Sequence, residues 1–303
     1  MNLTEAAAIA PLEVVRDAEF HNLGLLSHDT PGLLCCYYDP QFAVQCQRNH
    51  NIACVITTRA LAAAVPERLG LAVADDPMSA FFAIHVRLLA HPSFYWEDFA
   101  SEISPDADVH PASYVAPRNV RIGRGVVIEP NATVMERCIL GENVILRAGC
   151  VVGTEGMQRQ RVDGAYKMFP HAGGVLLHDD VEVQANAAVC RAVFKSFTEV
   201  GRGAKIGVGA SIAHNARIGR DTRVGVGARC SGSCRIGEDV FIGPGAVISN
   251  QVRVGDRARI SLGSVVVRDV PAGRTVTGSF AVDHETFLMF HAKLAAGHFS
   301  QWK

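Results

Sequence analysis

The stretch VGRGAKIGVGASIAHNARIG, residues 200–219, places an aliphatic residue at every sixth position, beginning with Val200 and Ile206. The interval then holds to Val266, through Ile212, Ile218, Val224, Cys230, Ile236, Ile242, Ile248, Val254 and Ile260. An amphipathic helix repeats every 3.6 residues and a strand every two, so a period of six fits neither alone. It predicts a mainly β solenoid of short strands and tight turns, in which glycine supplies backbone angles that other residues disfavour.

The same interval occurs earlier in the chain and is interrupted twice. It runs through Ile103, Val109 and Val115 and, after a one-residue slip, through Ile122, Ile128, Val134, Leu140, Leu146 and Val152. Residues 156–174 break the register with glycine, proline and charge, and residues 189–199 shift it by five positions. Loops in a regular array usually lie on the functional face, so we expect the site near these interruptions.

The two ends of the chain lack the repeat. Residues 1–98 mix alternating apolar segments such as IACVITT (52–58) with the helix-like MSAFFAIHVRLLA (78–90), and predict a small α/β domain. Residues 99–275 are then the solenoid domain, and residues 276–303 a helical tail. The tail carries apolar residues at helical spacing: Phe287, Leu288, Phe290 and Leu294.

Composition excludes several classes of protein. The 303 residues hold 29 Lys and Arg against 30 Asp and Glu, a balance that argues against nucleic-acid binding. There is no 18-residue apolar run to span a bilayer, and no basic residue precedes Arg16 to begin a secretory signal. The nine cysteines include no C-x-x-C pair, which gives no sign of a zinc site. We expect a reduced cytoplasmic protein without a metal site.

His214 is the candidate catalytic residue. It lies two positions after the repeat residue Ile212, with Gly232 one 18-residue coil later and Asn250 two coils later. A three-sided solenoid would therefore stack the three residues along one edge. A neutral imidazole beside a glycine amide supplies a general base and an oxyanion donor, although a lone histidine on a solenoid turn is more often only solvated.

The segment IAHNARIG, residues 212–219, resembles the catalytic segment of the acyltransferases of lipid A synthesis. Further similarities select one family among them, the UDP-3-O-(3-hydroxyacyl)glucosamine N-acyltransferases. The run DPQF at 39–42 is similar to that family's N-P-x-Y motif, and residues 153–171, with Tyr166 and Lys167, resemble its mid-solenoid loop.

This resemblance implies a left-handed parallel β-helix, a homotrimer, and a role in lipopolysaccharide biosynthesis. It implies an N-acyltransferase that moves an acyl group from an acyl carrier protein or coenzyme A thioester to the amine of a nucleotide-linked amino sugar. The thioester is then a co-substrate, and no cofactor is tightly bound. His214 is the implied base, and the Gly232 amide the implied oxyanion donor. Substrate contacts are expected at Asp39, Phe42, Tyr166, Lys167, Asn215, Asn250 and Gln251.

The chain departs from the family pattern at four positions. Gly207 stands where the family has a carboxylate seven residues before the catalytic histidine, and Gln251 replaces a second histidine. Cys36 and Phe42 stand where two aromatics sandwich uracil, so Phe42 keeps a stacking face without a hydroxyl. These changes indicate a divergent relative acting on another amino sugar, and leave open which group orients His214.

Three other functions stay open from the sequence. One is a coenzyme A-dependent sugar acetyltransferase, and another is a non-catalytic relative that binds a nucleotide sugar. The third, a metal-dependent lyase, would use His178 and His214, but the register shift between them and Gly219 argue against it. A carrier-protein partner would need basic residues near the last coils, for which there are Arg235, Arg253, Arg257, Arg259 and Arg268.

Overall fold

The N-terminal part of the chain is built on one small sheet. The computed structural model describes residues 1–91, 93–278 and 281–296. The strands follow the order β1-β5-β4-β3-β2, with β1 antiparallel to β5 and the others parallel. The elements are α1 (Leu3–Ala7), β1 (Glu13–Arg16), β2 (Asn22–Gly24), β3 (Leu33–Tyr37), α2 (Ala43–Arg48), β4 (Ile52–Thr57), β5 (Gly70–Val73) and α3 (Pro77–Leu89). Short 3-10 turns lie at Pro40–Phe42 and Arg59–Ala64.

Helix α3 begins where the sequence gives a start signal. Asp76 accepts a hydrogen bond from the Ser79 N–H, and Pro77 occupies the first helical position, where its missing N–H costs nothing. The buried face of α3, including Ala80, Phe81 and Ile84, packs in one apolar cluster with residues of the sheet. Phe81 on this face lines the cavity that also contains His214.

Most strands belong to a solenoid. In chain order they are β6 (Glu102–Ile103), β7 (Asp108–Val109), β8 (Tyr114–Val115), β9 (Val120–Ile122), β10 (Val127–Ile128), β11 (Thr133–Val134), β12 (Cys138–Leu140), β13 (Ile145–Leu146), β14 (Val151–Thr154), β15 (Arg159–Val162), β16 (Ala165–Met168), β17 (Gly174–Leu177), β18 (Glu182–Val183), β19 (Ala188–Cys190), β20 (Phe197–Val200), β21 (Lys205–Ile206), β22 (Ser211–Ile212), β23 (Arg217–Ile218), β24 (Arg223–Val224), β25 (Arg229–Cys230), β26 (Arg235–Ile236), β27 (Phe241–Ile242), β28 (Val247–Ile248), β29 (Arg253–Val254), β30 (Arg259–Ile260), β31 (Val265–Val266) and β32 (Thr275–Val276).

Apart from β15 and β16, these strands form three parallel sheets, the sides of the predicted left-handed parallel β-helix. The sheets are β7-β10-β13-β18-β21-β24-β27-β30-β32, β8-β11-β14-β19-β22-β25-β28-β31 and β6-β9-β12-β17-β20-β23-β26-β29. Ile212 pairs with Cys230 and Cys230 with Ile248, so one coil is three hexads, as the spacing predicts. The repeat residues from Val200 to Val266 are buried in one continuous core. The predicted fold class is confirmed.

Glycine does more in the coils than supply turn angles. Gly209 and Gly227 do adopt left-handed angles, with φ of 63° and 64°. The glycine directly after an aliphatic residue does not: at Gly219 an added Cβ would lie 2.3 Å from the carbonyl oxygen of Gly237 in the next coil. At such positions glycine is required because successive backbones approach closely.

Both interruptions leave the solenoid at one corner. Val152 in β14 pairs with Val189 in β19, 37 residues later, and Val189 pairs with Ile212, 23 residues later, against 18 in a regular coil. The first insertion, residues 155–173, is not a simple loop, because β15 and β16 form an antiparallel hairpin within it. The second insertion, residues 191–196, is short. Both follow strands of the sheet that also carries β22, β25 and β28.

The C-terminal helix predicted from the sequence is present as α4 (His284–Ala295), and its apolar residues are about half exposed. The tail predicted to reach residue 303 includes residues 297–303, which lie outside the described residues. The division into domains at residues 98 and 275 stays a prediction. None of the helices in the described ranges is both long enough and apolar enough to cross a bilayer.

Candidate active site

His214, Gly232 and Asn250 lie on one edge of the solenoid, one in each of three successive coils. Each follows the last residue of a paired strand by two positions, after β22, β25 and β28. The coils are held in register by the Ser233 N–H, which donates to the His214 carbonyl at 2.9 Å. The next turn repeats this bond, from the Gln251 N–H to the Gly232 carbonyl at 3.0 Å. The stacking predicted from an 18-residue coil is therefore what the structure has.

The His214 imidazole lies directly against Gly232. A Cβ added at Gly232 would be 2.7 Å from the ring Cε1 and 2.8 Å from Nε2, closer than real Cβ contacts. Gly232 does not adopt a left-handed backbone angle, so the space taken by the ring is what requires glycine. Within the described residues, the Gly232 N–H donates to no protein acceptor. A free backbone donor thus lies beside the ring nitrogen.

Asn215 orients the imidazole. The Asn215 Oδ1 lies 3.3 Å from Nδ1 of His214 and also accepts the Val193 N–H at 3.0 Å, while its Nδ2 donates to Ser196 Oγ at 2.9 Å. Because Oδ1 only accepts, the proton of a neutral His214 lies on Nδ1, and Nε2 keeps its lone pair. Asn215 was predicted to bind substrate. It is 5% exposed, and both its Oδ1 and its Nδ2 make hydrogen bonds within the chain, so its place here is an orienting one; a substrate contact at Asn215 stays a prediction.

The carboxylate that the family pattern would supply is absent at Gly207. This residue follows β21 on another sheet, and an added Cβ would lie 2.8 Å from the backbone of the next coil, which leaves no room for a side chain. Burial lowers the pKa of His214 below its ordinary 6.5, opposed by the hydrogen bond to Asn215. The imidazole is consequently neutral at neutral pH, with a neutral amide behind it.

The first insertion covers one edge of the ring. The His171 ring packs at 82° to His214, with 5.6 Å between centroids. Its Nδ1 donates to the Phe169 carbonyl at 2.9 Å, and its Nε2 accepts the Gly156 N–H at 3.2 Å. Burial lowers the pKa of His171 to about 4, so this ring is a neutral clamp within the insertion and has no free lone pair for a proton. Nothing in the sequence distinguishes His171 from a solvated loop residue.

Helix α3 holds the insertion in place. His85 is fully buried, and its Nε2 lies 2.7 Å from the Pro170 carbonyl, the residue before His171. Because a carbonyl only accepts, Nε2 carries the proton, and Nδ1 accepts from the Tyr95 hydroxyl at 2.8 Å. The aromatic ring of Phe169 stacks on His85 at 5.6 Å. The N-terminal part and the insertion are therefore packed as one wall of the site.

Charged contacts join the N-terminal part to the coils beside His214. Asp29 pairs with Arg217 at 2.7 Å and with Arg235 at 3.4 Å. Arg235 also donates to the Asn215 carbonyl at 3.1 Å. Arg235, one of the arginines predicted to bind a carrier protein, is therefore already engaged in contacts within the chain.

A cavity of about 320 Å³ opens at the edge that carries His214, Gly232 and Asn250. It lies between the N-terminal sheet and α3, the first insertion, and the coils that carry His214. No lysine, arginine, aspartate or glutamate side chain is among its lining residues. They are Gly24, Leu25, Leu26, Ser27, Cys36, Tyr38, Phe42, Gln45, Met78, Phe81, Met157, Gln158, Gln160, Phe169, Phe194, His214, Gly232, Ser233, Asn250 and Gln251. The cavity thus gathers His214, Gly232, Phe42, Asn250 and Gln251 from the predicted site.

Three predicted contact residues lie away from this cavity. Asp39 caps the turn at Pro40–Phe42, where its side chain accepts the Gln41 N–H at 2.9 Å. Tyr166 is 68% exposed on the hairpin, with a guanidinium over its ring. Lys167 pairs with Asp163 at 2.7 Å, and its ammonium lies over the Phe82 ring of α3. Neither Tyr166 nor Lys167 lines the cavity beside His214, which the sequence spacing does not indicate.

His178 lies on a different edge from His214. Its Nε2 is 2.7 Å from a carboxylate oxygen of Glu199 on the neighbouring coil. Within residues 1–91, 93–278 and 281–296, no three His, Cys, Asp or Glu side chains are grouped as metal ligands. The nine cysteines are free thiols.

The family model described as bacterial transferase hexapeptide (six repeats) matches residues 119–154 and 233–268. The UDP-3-O-acylglucosamine N-acyltransferase of Paracidovorax citrulli is 32% identical over 192 residues, covering 58% of this chain and 55% of that protein. Its counterpart in Anaeromyxobacter dehalogenans is 39% identical over 104 residues, covering 32% of this chain and 29% of that protein. The chain thus spans about half of the length of one of these curated relatives and less than a third of the other.

Solved structures with a similar fold include the UDP-N-acetylglucosamine acyltransferase from Campylobacter jejuni. It has a TM-score of 0.49 and 19% identity, over 64% of this chain and 82% of that one. The Arabidopsis UDP-N-acetylglucosamine acyltransferase has a TM-score of 0.46 and 21% identity, over 58% and 71%. The resemblance drawn from the sequence is confirmed: the chain is a hexapeptide-repeat protein similar to the UDP-3-O-acylglucosamine N-acyltransferases.

Proposed function

We propose that the protein is an N-acyltransferase, which moves an acyl group from a thioester to the amine of a nucleotide-linked amino sugar. One observation carries the proposal: the unprotonated Nε2 of a neutral His214 lies against Gly232, whose N–H has no other acceptor among the described residues. A general base on one residue and an oxyanion donor on its neighbour in the next coil suit acyl transfer to an amine.

In the proposed mechanism, the acceptor amine attacks the thioester carbonyl and forms the new carbon–nitrogen bond. His214 Nε2 takes the proton that the nitrogen loses, and the Gly232 N–H donates to the developing oxyanion. When the tetrahedral adduct collapses, the carbon–sulfur bond breaks and the imidazolium returns its proton to the departing thiolate. General-base help contributes about 10²–10⁴-fold, and an oxyanion donor about 10²–10³-fold.

The acceptor is proposed to lie at the mouth of the cavity. Phe42 offers one aromatic face on which the nucleobase of the acceptor can stack, and Asn250 and Gln251 offer side-chain amides to the sugar hydroxyls. The relatives named UDP-3-O-acylglucosamine N-acyltransferases support a nucleotide-linked acceptor. Asp39, Tyr166 and Lys167 have no part in this cavity, and we do not include them.

The donor is proposed to be an acyl carrier protein or acyl-coenzyme A, since both present the same phosphopantetheine thioester. Arg253, Arg257, Arg259 and Arg268 are the remaining basic residues for an acidic carrier. A homotrimer is proposed because the last coils carry exposed aliphatic side chains, and monomers seldom leave large apolar patches uncovered. These side chains are Val208, Val226, Leu262, Val265 and Val267. A cytoplasmic location stays a prediction.

The test is a thiol-release assay. Acyl carrier protein and coenzyme A thioesters are each combined with several UDP- and dTDP-linked amino sugars, and free thiol is measured with time. We expect release that depends on both partners, and at least a hundredfold lower turnover in His214→Ala. His178→Ala is the matched control, since it removes a solenoid histidine on another edge and should keep wild-type turnover.

Three outcomes would count against the proposal. Near-normal turnover in His214→Ala excludes this residue as the base. No release with any donor and acceptor pair, while a nucleotide sugar still binds, identifies a non-catalytic relative. Thiol release with acetyl-coenzyme A as the only active donor would favour the sugar acetyltransferase instead.

A further inference from the structure

Asn22 is the first residue of β2, and its side chain reaches from the N-terminal sheet to the second insertion. The residue is 3% exposed. Its Nδ2 donates to the Lys195 carbonyl at 2.8 Å, and its Oδ1 accepts the Lys195 N–H at 3.1 Å. One side-chain amide thus pairs with both polar backbone groups of one residue, as a neighbouring strand would. These bonds satisfy a buried amide and fix the place of Lys195 against the sheet.

The second insertion depends on contacts of this kind because the repeat does not shape it. Residues 191–196 lie between β19 and β20 and belong to neither strand. On one side the insertion is held by the first insertion, where the Ala172 N–H donates to the Val193 carbonyl at 2.7 Å. On the other side it is held by Asn22. The position of its backbone is therefore set by segments outside the solenoid.

Two residues of this insertion hold the side-chain amide of Asn215. The Val193 N–H donates to Oδ1 at 3.0 Å, and Ser196 Oγ lies 2.9 Å from Nδ2. Oδ1 and Nδ2 have nearly the same shape, so the partners decide which of them faces His214. The Ser196 hydroxyl can donate or accept and does not discriminate. The Val193 N–H can only donate, so it selects the orientation with Oδ1 beside it.

A reversed amide would change the chemistry of His214. The Asn215 Nδ2, a donor, would then face Nδ1 of the imidazole, and Nδ1 would have to accept. The proton of the neutral ring would move to Nε2, the nitrogen beside Gly232. In that tautomer Nε2 has no lone pair with which to take a proton from an amine. The orientation of a single amide therefore determines whether His214 is a base.

We propose that Asn22 is a positioning residue, which controls the tautomer of His214 without touching it. Its two bonds to Lys195 hold the second insertion in place, so that the Val193 N–H stays on the amide of Asn215. A carboxylate has two equivalent oxygens and would need no such selection, whereas an amide does. The effect on turnover rests on the proposed function, but the tautomer is a property of the free protein.

NMR of protein labelled with ¹⁵N in histidine measures the tautomer directly and needs no substrate. Spectra are recorded at about pH 8, above the ordinary pKa of histidine, and the His214→Ala spectrum identifies the signals of His214. We expect a protonated Nδ1 and an unprotonated Nε2 in the wild type. In Asn22→Ala the two amide orientations lose their distinction, so roughly half of the molecules should carry the proton on Nε2.

Two further variants separate positioning from stability. Asn22→Asp keeps the size of the side chain and the bond to the Lys195 N–H, but loses the donation to the Lys195 carbonyl. It should shift the tautomer in the same direction, and it is the variant to measure if Asn22→Ala does not fold. Lys195→Ala is the matched control, because it removes an exposed side chain and leaves the backbone groups that Asn22 holds. Its spectrum should equal that of the wild type.

Rescue by Asn215→Asp distinguishes the proposed role from a merely structural one. Both oxygens of the new carboxylate accept, so Nδ1 of His214 must carry the proton in either orientation. Asn22→Ala combined with Asn215→Asp should therefore show the single Nδ1 tautomer again. In the transfer assay, Asn22→Ala should lower kcat about tenfold in the wild-type background and less than about twofold in the Asn215→Asp background.

Three results would overturn the inference: a wild-type tautomer in the Asn22 variants, a mixed tautomer that Asn215→Asp does not resolve, or equal losses of kcat in both backgrounds. Failure of the proposed function is separate. The expected tautomer shifts without thiol release for any donor and acceptor pair reject the transferase but leave Asn22 as the positioning residue. Turnover that requires His214, together with an unchanged tautomer in the Asn22 variants, rejects the positioning role but leaves the transferase.

Discussion

Gly232→Ala tests the contact on which the proposed site depends. The added Cβ would lie 2.7 Å from Cε1 and 2.8 Å from Nε2 of His214, whereas ordinary contact begins at 3.4 Å. The imidazole must therefore move by at least 0.7 Å, the difference between 3.4 and 2.7 Å. Alanine keeps the backbone N–H, and the Gly232 backbone is outside the left-handed region, so the displaced ring is the only change expected. A displacement near 1 Å can lower turnover about 10²-fold.

A double-mutant cycle measures this contact independently of activity. Overpacking of this kind costs about 1–3 kcal/mol of the free energy of unfolding, so urea denaturation should show Gly232→Ala less stable by that amount. In His214→Ala the ring is absent, and the same alanine should cost close to nothing. Equal costs of Gly232→Ala in both backgrounds would refute the reasoning, because the ring would then not occupy the space beside Gly232.

Two pH dependences follow from the histidines. Burial lowers the pKa of His214, so the acid limb of the kcat/KM profile should lie below pH 6.5. The Asn215→Asp variant places a carboxylate at Nδ1 and should move that limb to higher pH. An acid limb that does not move would reject Asn215 as the orienting group. His28, His85 and His171 have folded-state pKa values of about 4, below the ordinary 6.5, so the unfolded chain binds more protons between these values. The free energy of unfolding should therefore be level above about pH 6.5 and fall by on the order of several kcal/mol toward pH 4, and a urea midpoint unchanged between pH 7.5 and pH 5 would contradict this.

The solenoid could be predicted because its period is visible in the chain itself. Each aliphatic residue of the repeat enters the same core, so spacing alone determines which side chains are buried. The 18-residue length of a coil likewise suffices to place His214, Gly232 and Asn250 on one edge. The period does not predict why glycine is required at a given position. Gly219 and Gly232 leave no room for a side chain because of atoms in a neighbouring coil.

The remainder of the site depends on segments without a period. Nothing in residues 155–173 indicates that His171 would clamp Gly156 against His214, or that Tyr166 and Lys167 would lie outside the cavity lining. The position of Asn215 beside Nδ1 of His214 could not be predicted either, for a related reason. Its partners Val193 and Ser196 belong to the five-residue register shift, whose conformation the repeat does not determine.

The two insertions explain how a repetitive scaffold acquires a single site. A regular coil presents the same shallow corner at every turn, and the corners at Gly232 and Asn250 alone would leave His214 in solvent. Both insertions leave the solenoid at that corner, below His214, and they bring Phe169 and Phe194 onto α3 of the N-terminal part. His85 fixes this arrangement through Pro170. The half-buried, neutral imidazole is therefore a consequence of where the repeat is interrupted, and the same interruptions supply the apolar side chains of Phe169 and Phe194 to the cavity beside it.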